Sequence, residues 1–187
     1  MKRFLLVAIS LILLFSLVSC KGRGPASLSQ GSGVGRYSDD GEDVLHYPVK
    51  YVYTYRLSMG GDYPELIVIS SRAELLDYIN QNSEIYNFEE SWYSVSFYDA
   101  VTEYTEEFFK TKSLVIAVIY EPSESYTHSV KQISKTERGY SIDVIRFIPD
   151  VATDVEALWH IINEVPKSSA ILSNPDEISI NVESKSK

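Results

Sequence analysis

The residue types best able to do chemistry in this chain are His128, His160 and Glu164. His160 and Glu164 stand four apart, hence on one face in a helix and in a strand alike, and a neighbouring strand would bring His128 to them. Two imidazoles and a carboxylate occur as ligands in some zinc sites, where the metal activates water for hydrolysis. The same residues have a second use that needs no metal, because a histidine in a strand among aromatic residues is commonly a hydrogen-bonded part of the core. The chain has no Gly-x-Ser-x-Gly elbow, no His-Glu-x-x-His pair, no calcium-loop pattern and no cysteine available for nucleophilic or metal work. No cofactor or metal is therefore assigned, and a hydrolase built on the three residues stands as the alternative to a non-catalytic role.

Tyrosine is abundant, with 14 in the chain and Tyr51, Tyr53 and Tyr55 in one row. Such a row offers flat apolar rings with polar tips, suited to sugars or peptides. The intervening positions include Lys50, Thr54 and Arg56, so the tyrosines are expected to face inward as core. The acidic group Glu84, Glu89 and Glu90 near Trp92 would suit a cation or a basic partner, or serve as a solvated connector. Gly31-Ser32-Gly33-Val34-Gly35 has glycine spacing but no preceding strand, following helix or lysine, which makes it linker rather than a phosphate loop.

The N-terminal segment has a different chemistry. Lys2 and Arg3 precede an almost wholly apolar run from Phe4 to Val18, the charged and hydrophobic regions of an export signal. The run is shorter than the roughly 20 residues that span a bilayer, so removal is expected rather than retention as a membrane helix. It ends Leu17-Val18-Ser19-Cys20, which resembles the lipobox of bacterial lipoproteins. The resemblance implies diacylglycerol on the Cys20 thiol, cleavage between Ser19 and Cys20, and further acylation such as palmitate. Cys20 is the single cysteine, so no internal disulfide competes for it. With about 0.8 kcal/mol from each buried methylene, two or three acyl chains anchor a protein durably where one holds only marginally.

Composition bounds the mature chain. Loss of residues 1–19 removes Lys2 and Arg3 and no acid, moving the net charge from −9 to −11. Phosphate backbones and anionic lipid surfaces repel such a chain, which disfavours nucleic acid and electrostatic membrane docking and leaves the lipid as the anchor. From Cys20 to about Asp43 the chain is rich in glycine and serine, a tether with a reach of roughly 25 to 30 Å. Residues 44–187 then carry enough apolar content for one globular domain.

The pattern of that domain predicts an α+β fold, a mixed, mainly antiparallel sheet of about five to seven strands with two helices packed on it. Residues 49–57 alternate as a half-buried strand, Gly60-Gly61 turns the chain, and 65–70 form a short β-branched strand. Ser71 and Glu74 make a capping box for a helix ending near Asn82, with Leu75, Leu76 and Ile79 on one face. Phe97, Ala100, Val101 and Tyr104 fit the stripe of a second helix, with Glu103, Glu106 and Glu107 toward its solvated end. Residues 113–120 are continuously apolar, a strand covered on both faces. Residues 126–134 and 140–148 flank a hairpin turn at Glu137-Arg138-Gly139, and 177–182 alternate as a last strand. Residues 155–165 fit both a helical stripe (Val155, Leu158, Trp159, Ile162) and an alternation (Trp159, Ile161, Val165), and the strand is preferred.

Residues 108–167 also resemble uncharacterised firmicute lipoproteins and, more distantly, the C-terminal domain of the protease complex subunit PrcB. The likeness is carried by Phe108-Phe109, Ser113-Leu114-Val115-Ile116, Tyr126-Thr127-His128-Ser129-Val130 and Trp159 to Lys167, and covers about a third of the chain. It implies a strand at Trp159 to Lys167 and an accessory protein rather than a catalyst. Ser123-Glu124-Ser125 departs from it, since those domains carry paired glycines before the tyrosine of the second strand. The expected function is that of a lipid-anchored extracytoplasmic module with a protein partner in the cell envelope.

Overall fold

A computed structural model describes residues 44–58, 61–90 and 95–187. Cys20, Ser19, the export segment, the tether, Gly60 and Trp92 lie outside the described residues. In chain order the elements are β1 (Val44–Leu45), β2 (Val49–Arg56), β3 (Glu65–Ile69), α1 (Arg72–Asn82), β4 (Tyr86–Asn87), α2 (Phe97–Val101), α3 (Glu106–Thr111), β5 (Lys112–Glu121), β6 (Thr127–Thr136), β7 (Gly139–Ile148), β8 (Ala157–Pro166) and β9 (Ile178–Ser186). The fold is α+β, as the pattern predicts. Its strands divide into two sheets instead of one, a five-stranded sheet ordered β3-β5-β8-β2-β4 and a four-stranded sheet ordered β1-β6-β7-β9. All described pairings are antiparallel except β7 with β9.

Period-two alternation along β5 and β8 explains the layering. Leu114, Ile116 and Val118 of β5, with Leu158 and Ile162 of β8, meet the helices in one core. Val115, Ala117 and Ile119, with Ile161 and Val165, meet Ile133, Ile142, Val144 and Ile178 of the second sheet in another. The five-stranded sheet is thus the middle layer between helices and four-stranded sheet. Its central strands lose water on both faces, worth about 1.5 to 3 kcal/mol for each fully buried aliphatic side chain, and their continuous apolar character follows from that.

Residues 157–166 are a strand throughout, in agreement with the preferred reading of that segment. Three details differ from the sequence pattern. Phe97, Val101 and Tyr104 of the second stripe are buried, but the helix stops at Val101 and leaves Tyr104 in the connector, because Thr105 turns extended and its hydroxyl accepts the Phe108 N–H as the N-cap of a separate helix, α3. Glu106 and Glu107 consequently occupy the first turn of α3, where the helix dipole favours acids. In α1 the buried face is Leu75, Tyr78 and Ile79, whereas Leu76 is exposed. Finally, β2 has no wet face, since Thr54 is fully buried under the helices opposite the tyrosine row.

The hairpin of β6 and β7 turns at Gly139, whose φ of +128° suits glycine. A bulge between Val130 and Gln132 shifts its register, and Val130 N–H donates to Tyr51 Oη (2.7 Å), a link from β6 to the middle sheet. Among the described residues no helix is long and apolar enough to cross a membrane.

Candidate functional site

His160 lies on the helix-facing side of β8 and is fully buried. The rings of Tyr78, Tyr86, Phe88 and Phe97 surround it with centroids 4.8 to 6.1 Å away. Thr54 Oγ1 donates its single proton to Leu158 O (3.2 Å), so the 3.3 Å contact with His160 Nδ1 requires Nδ1–H as donor. Nε2 then accepts from the Tyr78 hydroxyl (2.8 Å). This neutral tautomer satisfies both ring nitrogens, and burial among apolar rings pushes the imidazole pKa down to about 3. Burial raises the Tyr78 hydroxyl well above its ordinary range, so it stays a donor.

Glu164 shares that face of β8, but four strand residues separate it from His160 by about 13 Å. It accepts from Tyr104 Oη (3.3 Å) and from Lys112 Nζ (2.9 Å). Burial, then the carboxylate of Glu164, raises the Tyr104 hydroxyl and keeps it protonated. Lys50 sits close by, over the Tyr104 ring and paired with Glu103.

His128 is on the other side of the middle sheet. β6 is not a neighbour of β8, and the His128 ring approaches Trp159, which points away from His160 (centroids 5.4 Å apart). The three residues of the sequence constellation therefore occupy three separate environments, and no group of three or more His, Cys, Asp or Glu able to hold a metal occurs among the described residues.

What His128 does meet is a buried ionic group at one end of the sandwich. Its Nε2–H donates to Glu121 Oε1 (2.7 Å), and Arg146 Nε donates to the same oxygen (2.7 Å). Glu121 ends β5, Arg146 stands opposite His128 on β7, and Trp159 covers the histidine from β8. The side chains of Glu121 and His128 have no exposed surface, so a reacting group cannot approach the pair as it stands. Glu121 Oε2, His128 Nδ1 and Trp159 Nε1 have no hydrogen-bond partner here. One carboxylate thus joins the middle sheet to both strands of the hairpin. Nearby, Ser123 and Ser125 hydrogen-bond Thr153 across the loops at this end.

The remaining candidates are more open. Tyr53 packs inward against Trp159, Tyr55 is half-buried and Tyr51 is partly exposed, so the row lines the intersheet space and its rim. On the helix side of the sheet, Arg56 lies against the rings of Tyr63 and Tyr120 and 3.9 Å from Glu156. Tyr63 Oη is 3.1 Å from Tyr86 Oη, which donates to Glu65 (3.5 Å), and burial raises the Glu65 carboxyl. Beyond Tyr86 a depression of about 240 Å³ opens among Leu57, Ser83, Asn87, Phe88, Glu89 and Tyr98. Asn87 Oδ1 accepts from the backbone N–H groups of Glu89 and Glu90, which fixes this part of the acidic group at the edge of the sheet.

Sequence reasoning missed Glu121, Arg146, Thr54 and Tyr78 as the partners of the two histidines. A signal existed for one of them: Glu121 has the parity of Val115, Ala117 and Ile119, the inward face of an apolar strand. No protein-family profile, curated protein sequence or solved structure matches this chain.

Proposed function

We propose that this protein is a lipid-anchored extracytoplasmic module that binds a protein of the cell envelope and supports an exported complex without catalysing a reaction. The observation that carries the reading is Leu17-Val18-Ser19-Cys20, placed between an apolar export segment and a Gly/Ser-rich tether. Acyl chains on Cys20 hold the domain to the membrane, and the tether keeps it clear of the head groups. The likeness of residues 108–167 to the PrcB C-terminal domain supports an accessory role. The occupied state of its ionisable residues also supports it: His160, His128, Glu121 and Glu164 are each engaged with side chains of the domain itself.

Crosslinking in intact envelopes, followed by affinity purification of the full chain, tests the reading. A reproducible protein partner is expected. Purified protein that turns over an envelope substrate, with no partner recovered from the envelopes, rejects it.

A further inference from the structure

The geometry points to a docking pocket at the β4 edge, built for one large apolar side chain of a partner segment whose neighbouring residues are lysine or arginine. This rests on the reading of the domain as a binding module and names the partner's chemistry. Tyr86 and Phe88 supply an aromatic floor and are 2% exposed. Around it stand large apolar residues left in water, Leu57 at 56% and Tyr98 at 39%. Apolar residues gathered around a depression mark an interaction site better than the same residues scattered singly. A depression of about 240 Å³ falls short of the roughly 300 to 1,000 Å³ of small-molecule sites and suits a single anchoring side chain.

Charge selects what flanks the anchor. Glu89 lines the pocket, Glu90 is held beside it by the Asn87 amide (3.1 Å), and Glu84 follows Ser83 at the end of α1. None of the lining residues is basic. A segment with lysines or arginines on either side of its apolar residue gains attraction at this rim, whereas an acidic segment is repelled.

The probe is a set of short immobilised peptides with one phenylalanine, leucine or tryptophan between lysines. Matching sets carry glutamates in place of the lysines, or serine in place of the apolar residue. Full-length protein in detergent is expected to bind the lysine-flanked apolar peptides at least about tenfold more tightly than either control, with the preference weakened by salt. Leu57→Ser, a neutral change at a position that is 56% exposed, is expected to reduce binding at least about tenfold. The double variant Glu84→Lys, Glu89→Lys is expected to invert the preference toward glutamate-flanked peptides. Binding to no peptide, equal binding to the three sets, insensitivity to Leu57→Ser, or sedimentation showing that a second copy of the chain fills the pocket each overturns the proposal. Any of these, beside an envelope partner crosslinked through another surface, overturns the pocket and leaves the binding-module reading standing.

Discussion

At the scale of single residues, the two histidines of the sequence constellation are structural for different reasons. His160 is neutral because neither ring nitrogen faces a charge and the ring is sealed among aromatics. Its folded pKa of about 3 lies below the unfolded value of 6.5, so the unfolded chain takes up the proton first. Its contribution to stability is present above about pH 6.5 and is lost as pH falls toward about 3, at about 1.4 kcal/mol per pH unit. Urea unfolding across that range should show this slope, and His160→Gln should flatten it by one proton. An unchanged slope would mean that the ring is charged or solvated in the folded state. His128 instead depends on Glu121. Truncation by Glu121→Ala leaves Arg146 and a buried imidazole without their acceptor, and a loss of about 3 to 5 kcal/mol is expected in the same assay. A loss below about 1 kcal/mol would show that the group is hydrated and contributes little.

At the scale of elements, local signals that depend on nearby residues were legible, and those that depend on packing were not. The Ser71 cap, with its hydroxyl accepting from Glu74 N–H (3.1 Å), the hairpin turn and the doubly buried β5 all follow from residue types and short-range spacing. The break between α2 and α3 was hidden because Val101, Tyr104 and Phe108 keep helical spacing across the connector and pack into one core, so the period continues through the interruption. The cross-strand neighbour of His128 was hidden by one extra residue. The turn at Thr136↔Gly139 would set His128 opposite Phe147, and the bulge between Val130 and Gln132 moves Arg146 there instead. Two predictions belong here. Gly139→Ala forces a side chain into positive φ against the backbone carbonyl of Glu177 and should cost more than about 1 kcal/mol, read as a lowered unfolding midpoint. Thr105→Ala removes the α3 cap and should cost about 1 kcal/mol, while an unaltered midpoint would show that α3 is held by packing alone.

At the scale of the whole molecule, the α+β class was readable from alternating strand and helix patterns, but the division into two sheets was not. A strand's alternation marks a buried face without naming the layer that covers it. That gap also explains why His128 and His160 looked compatible with one site: both lie on inward faces, but on opposite sides of the middle sheet. The proposed function rests on the opposite kind of signal, a contiguous stretch of sequence that, on that proposal, the export and acylation machinery reads directly, with Cys20 as the residue acylated. On that proposal the domain of residues 44–187 is cargo held at the membrane by a tether, and its outward features, the acidic rim and the β4-edge pocket, face the envelope. The most direct measurement is mass spectrometry of the N-terminal peptide from membrane-extracted protein, compared with a Cys20→Ala variant. An N-terminal Cys20 carrying diacylglycerol, with release of the variant from membranes or retention of its leader, is the predicted result; an unmodified Cys20 thiol, or Met1 still present in soluble cytosolic protein, contradicts it.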